Sequence, residues 1–158
     1  MPKQSAGILM YRKTGMGLEV LLVHPGGPFW AKKDEGAWSI PKGEYEPGED
    51  PLTAARREFA EELGQPAPDR GYFELGSVTQ RGHKTIVAFA VRGDFDPAVL
   101  KSNSFELEWP RRSGRPQSFP EVDRAGWFAL DVARRKILQR QAPFIDRLCA
   151  RLAEAART

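Results

Sequence analysis

Residues 43 to 65, GEYEPGEDPLTAARREFAEELGQ, constrain the fold of this chain more than any other stretch, because residue types alone mark the start, the stop and two faces of one helix. Asp50 before Pro51 pairs an N-cap side chain with a proline at the first helical position, where the missing N–H costs nothing. Gly64 and then Pro66 supply the stop, which predicts a helix of about three to four turns. Leu52, Ala55, Phe59 and Leu63 recur at three- and four-residue steps and form an apolar stripe. At about 100° per residue, Glu58, Glu61 and Glu62 share an arc of about 100°, expected to lie away from that stripe.

Three like charges at this spacing disfavour an isolated helix, and each carboxylate raises the pKa of its neighbours. A positive group is therefore expected among them. Clustered hard oxygen ligands suit Mg²⁺ or Mn²⁺, which take carboxylates, waters and phosphate oxygens. A plain solvated acidic face is the alternative, and the preceding loop Trp38-Ser39-Ile40-Pro41-Lys42-Gly43 argues against it. There Gly43 lets the backbone approach a ligand closely, and Lys42 is placed to meet a phosphate.

Gly43, Glu49, Arg57, Glu58, Glu61, Glu62 and Gly64 occupy the specified positions of the Nudix box, G-x5-E-x7-R-E-U-x-E-E-x-G-U, and the chain resembles that family. One position departs, since Gln65 stands where an aliphatic residue is usual; this is expected to alter the helix exit rather than the chemistry. The resemblance implies an α/β/α sandwich around a mixed β-sheet and a hydrolase that cleaves pyrophosphate linkages with Mg²⁺ or Mn²⁺. It assigns metal contacts to the Gly43 carbonyl, Glu58, Glu61 and Glu62, and a loop-to-helix ion pair to Glu49 and Arg57. Phe119 to Phe128 resembles the segment before the last strand of the fold, where a glutamate faces the metal from a second direction. Glu121 is chosen for that role, with Asp123 as the competitor; Glu58 or Glu121 would be the general base.

Over its full length the chain is most similar to a bacterial, MutT-like subgroup of predicted NTP pyrophosphohydrolases. The string from Trp38 to Glu49 is also similar to that of dinucleoside polyphosphate hydrolases, although the downstream tyrosine of that group is absent where positions 80 to 83 read Gln-Arg-Gly-His. The proline that marks ADP-ribose hydrolases is missing too. A nucleoside triphosphate or a dinucleoside polyphosphate is thus the implied small-molecule partner. A nucleotide-binding sensor and an RNA 5′-pyrophosphohydrolase are the alternatives.

The remainder fits one domain spanning residues 1–158, long enough to bury a core. Single Cys149 points to a reducing, cytoplasmic setting, and no signal-peptide or membrane-spanning run is present. A net charge of +3 suits small polyanions but is too mild to argue for nucleic acid. Oligomeric state leaves no signature. Strands are expected at Ser5 to Arg12 and Leu18 to His24 around a Thr14-Gly15-Met16-Gly17 hairpin, at Tyr72 to Gln80 and Thr85 to Arg92 around Gly82, and at Gly126 to Leu130. Helical spacing covers Val132 to Gln139 and Pro143 to Ala156.

Lys101 to Pro120 reads as an irregular surface excursion, whose Arg111, Arg112 and Arg115 suit phosphate oxygens or simple solvation equally. Of the aromatics that could stack on a base (Phe29, Trp30, Trp38, Tyr45, Trp109), Trp30 is preferred for ligand contact, and Trp127 is assigned to anchoring the sheet. His24 and His83 lack metal-ligand spacing and are read as non-catalytic.

Overall fold

Ala6 to Tyr11 are buried on both faces of one strand, the pattern of a sheet interior covered on two sides. The computed structural model describes residues 3–157 and builds outward from that strand; Met1, Pro2 and Thr158, the ends of the expected domain, lie outside the described residues. In chain order the elements are β1 (Gln4–Thr14), β2 (Gly17–Pro25), β3 (Lys42–Glu44), α1 (Pro51–Leu63), β4 (Phe73–Thr79), β5 (Thr85–Arg92), β6 (Ser104–Glu108), β7 (Pro116–Pro120), β8 (Val122–Ala129), α2 (Leu130–Lys136) and α3 (Ala142–Ala156). The main sheet runs β4-β5-β1-β2-β8, with β3 added to the first residues of β1. Only the β1–β5 pairing is parallel, so the sheet is mixed as expected.

Strand periodicity sorts the core into two halves. Ile8 and Met10 face α1 with Phe59 and Leu63. Leu9 and Tyr11 face the opposite side with Ala133, Phe144, Ile145 and Leu148 from α2 and α3. The result is the α/β/α sandwich. At one outer edge, the Arg147 guanidinium donates to the Leu75 and Ser77 carbonyls (3.0 and 2.9 Å) and Arg151 donates to Glu74 (2.8 Å), so α3 covers part of β4.

The α1 helix closes as its sequence dictates. Asp50 accepts from the Thr53 N–H at 2.9 Å, and Gly64, left-handed at φ 79°, donates its N–H to the Ala60 carbonyl. Gln65 and Pro66 follow as exposed residues, and Ala67 is the next to enter the core. The backbone N–H and the hydroxyl of Thr53 hold the Asp50 carboxyl below its ordinary range. Asp50→Ala is therefore expected to lower the melting temperature by about 2–4 °C at neutral pH. Because the folded pKa is depressed, thermal melts should show this difference fading as pH falls below 3.8.

Several sequence-based boundaries need correction. Lys101 to Pro120 is not irregular: β6 and β7 pair residue by residue, from Ser104 opposite Pro120 to Glu108 opposite Pro116, as a separate two-stranded ribbon. Its Phe105 and Leu107 alternate with Glu106 and Glu108, a strand signal that the surrounding prolines and arginines obscure. The last strand begins at Val122 rather than Gly126, and α2 occupies Leu130–Lys136 rather than reaching Gln139. A short 3₁₀ turn at Arg81–His83 carries the expected reversal at Gly82.

Candidate active site

The loop that leads to Gly43 is fixed before it reaches the helix. Trp38 donates its N–H to the Lys136 carbonyl and accepts from Leu138, Ser39 exchanges backbone bonds with Val23, and the fully buried Gln141 side chain accepts from the Ile40 N–H at 3.0 Å. The Pro41 carbonyl accepts from Ile8, which delivers Lys42 and Gly43 into β3 against β1. At Gly43 the requirement is space: a Cβ there would lie 2.1 Å from the Glu58 carboxyl carbon.

Three carboxylates, Glu58, Glu62 and Glu121, approach this loop, and Glu61 is near enough to Glu58 and Glu121 to repel them. Burial raises the Glu58 carboxyl, as does the charge of Glu61, against the opposing pull of Arg57. Burial pushes Glu62 up to about 8, opposed by the Lys42 charge and by the Lys42 N–H, which donates to Glu62 Oε1 at 3.3 Å. Burial and then Glu61 raise Glu121. The expectation that Glu62 stands clear of the apolar stripe needs revision: it lies about 20° beyond Ala55 on the helical wheel, so its stem borders the core. Lys42, Glu62 and Glu121 together line a cavity of about 110 Å³ floored by Val23 and Ile40.

Arg57 forms an ion pair with Glu49 and comes within 3.5 Å of Glu58, joining the loop to the helix face. Glu121 is held through its backbone: its N–H donates to the Asn103 carbonyl at 2.8 Å, and its carbonyl accepts from Gly26 at 2.9 Å. Asn103 in turn donates its N–H to the Glu61 carbonyl at 3.0 Å, so one residue stitches both acidic elements together. Among the described residues, no three acidic, histidine or cysteine side chains are already gathered closely enough to hold a metal ion. The donor set fits one nevertheless, being oxygen only, with burial and mutual repulsion raising the carboxyls and a cradle at Gly43 that any side chain would fill.

Other candidates lie elsewhere. Asp123, the competitor of Glu121, is the extra residue of a bulge in β8, where His24 pairs with Arg124 and Pro25 with Val122. Its carboxylate meets His24 Nδ1 at 2.7 Å and does not line the cavity. His24 is fully buried, and its Nε2 meets the Lys33 carbonyl at 2.6 Å, so it ties the 26–37 loop to the start of β8. Trp30 does not line the cavity; the Lys33 ammonium sits over its ring at 5.1 Å. Arg111 and Arg112 stand on the turn of the β6–β7 ribbon, outside the cavity. Trp127 packs on the α1 side and donates its indole N–H to the Phe95 carbonyl at 2.8 Å.

Comparison with known proteins agrees with this fold. The fold matches an Ap4A hydrolase of C. elegans solved as a binary complex, with a TM-score of 0.62 and 21% identity over 95% of this chain and 98% of that one. It also matches the NUDIX domain of Shewanella oneidensis NrtR complexed with ADP ribose, at a TM-score of 0.64 and 18% identity over 96% and 89% of the two chains. A Nudix hydrolase from M. smegmatis, RenU, matches at 0.55 with 24% identity over 96% and 86%. No curated protein gives a significant match. At these identities the structural likeness speaks for the fold alone, but the NUDIX domain model matches residues 1–148 directly, and the chain therefore belongs to the NUDIX family.

Proposed function

We propose that this chain is a single-domain, metal-dependent pyrophosphohydrolase that cleaves a nucleoside triphosphate or a dinucleoside polyphosphate. The observation that carries the reading is the convergence of Lys42, Glu62 and Glu121 on one cavity, beside the close approach of Gly43 to Glu58. Glu58, Glu61, Glu62, Glu121 and the Gly43 carbonyl would hold Mg²⁺ or Mn²⁺. Bound there, such an ion would offset phosphate charge and lower the pKa of a water.

The chain's own groups do the rest. Lys42 meets a phosphate oxygen, and Glu58, beside the Gly43 backbone, takes the proton of the attacking water. Glu121 is the second candidate for that role. Arg57 and Glu49 keep Glu58 and the loop in register. The single free cysteine supports a cytoplasmic setting, and no helix of the described residues is long and apolar enough to cross a membrane. A sensor role is the second reading, favoured by the likeness to the NrtR domain complexed with ADP ribose.

Phosphate or pyrophosphate release should be measured with Mg²⁺ and Mn²⁺ across nucleoside triphosphates, dinucleoside polyphosphates and nucleotide sugars. Metal-dependent turnover of one class is the expected result. Binding of nucleotides with no turnover of any class would favour the sensor.

A further inference from the structure

We propose that the β6–β7 ribbon and the Gly27–Trp30 loop form a second binding surface, which takes the far nucleoside and adjoining phosphate of a two-ended nucleotide cleaved at the carboxylates. This rests on the pyrophosphohydrolase reading above. The root of the ribbon belongs to the acidic site: Asn103 precedes β6 and binds the backbones of Glu61 and Glu121, while Glu121 directly follows β7. The ribbon and the loop are in contact from the root onward. A Cβ at Gly26 would lie 1.9 Å from the Pro120 carbonyl oxygen, and one at Gly27 would lie 3.0 Å from the Phe105 ring.

At about 3.4 Å per residue, five paired residues carry the ribbon's turn about 17 Å from Glu121. There Phe29 meets Trp109 edge to face at 5.3 Å, and the Arg111 guanidinium lies over Phe29 at 5.5 Å. Phe29 is 47% exposed, one of the few large apolar side chains left to solvent. Arg111, Arg112 and Arg115 crowd the same turn, and none has a carboxylate partner among the described residues.

The turn is ordered by its own hydrogen bonds. Glu108 accepts from the Gly114 N–H at 2.7 Å, and Gln117 donates to the Trp109 carbonyl at 2.8 Å. Arg112 is held in the left-handed region at φ 63°, which a non-glycine residue seldom adopts. A part-exposed aromatic pair bordered by guanidiniums that have no carboxylate partner among the described residues matches a base and its phosphate. A nucleoside triphosphate has only one nucleoside to place, whereas a two-ended nucleotide carries a second one at a distance, as this surface requires. Glu106 and Glu108 on the same ribbon oppose a longer polyanion such as RNA.

Calorimetric titration without divalent metal, using diadenosine tetraphosphate and ATP as probes, tests the assignment on wild type, Trp109→Ala and Arg111→Ala. Circular dichroism verifies that each variant folds, and Phe29→Ala replaces Trp109→Ala if the latter does not. The preference for diadenosine tetraphosphate over ATP should fall about 5- to 150-fold in Trp109→Ala, the worth of one stacked base. Arg111→Ala should weaken the salt dependence of diadenosine tetraphosphate binding. An unchanged preference in both variants overturns the proposal. So does a 5′-triphosphorylated oligonucleotide that binds more tightly than diadenosine tetraphosphate and depends on Trp109. If a Trp109-dependent preference persists but no nucleotide is hydrolysed with Mg²⁺, the hydrolase reading fails and the surface stands.

Discussion

Glu62→Gln is expected to lower metal-dependent turnover by about 10³-fold while the fold survives. The size follows from losing several kcal/mol of charge stabilisation at the reacting phosphates, at about 1.4 kcal/mol per decade of rate. The amide keeps the shape of the side chain and an oxygen for the Lys42 N–H, so local packing should hold. Retained turnover at saturating Mg²⁺ would remove Glu62 from the ligand set. The same variant should alter how stability depends on pH. An unfolded chain releases the Glu62 proton near 4.5, but the folded chain keeps it to about 8. The folded state therefore binds more protons across that window, and metal-free stability falls as pH rises through it. Melting temperatures in EDTA at pH 6 and pH 9 should differ less in Glu62→Gln than in wild type, and an equal difference would place the titration elsewhere.

Gly43→Ala should cost about 10²-fold in kcat/KM. Its new methyl group would sit 2.1 Å from the Glu58 carboxyl carbon, closer than any pair of unbonded atoms tolerates. Glu58 has to yield, and it is half-buried with Arg57 alongside, so the movement carries the carboxylate out of register. A shift of about 1 Å in a reacting group is enough for a loss of that size. Overpacking should also destabilise the chain by about 1–3 kcal/mol, readable by urea denaturation. Gly15→Ala is the matched control, because a Cβ there meets nothing within 4 Å. Wild-type kinetics in Gly43→Ala would mean that Glu58 acts from another position than the one seen here.

What the sequence disclosed was local. Asp50, Pro51 and Gly64 mark both ends of α1 within one window, and the spacing of Glu58, Glu61 and Glu62 follows from the helix itself. The burial of Glu62 did not follow, because it depends on which flank of the apolar stripe the sheet covers. The pairing of His24 with Asp123 spans 99 positions and rests on a bulge, which leaves no periodic mark in either strand. The β6–β7 ribbon is an intermediate case: the Phe-Glu-Leu-Glu alternation was present, but prolines and arginines around it resembled a loop. Its connection to the acidic site through Asn103 is made by backbone atoms, to which side-chain identity gives no clue.

The hold of α3 on β4 bears on how this chain behaves in a crowded solution. An outer strand offers a row of carbonyl acceptors that a second chain can use to prolong the sheet. On β4 the acceptors of Glu74, Leu75 and Ser77 are already taken by Arg147 and Arg151. An approaching strand meets two guanidinium groups there in place of open carbonyls, which disfavours growth of the sheet by addition of further copies at these three residues. The two arginines thus shield part of a sheet edge as well as joining a helix to a strand.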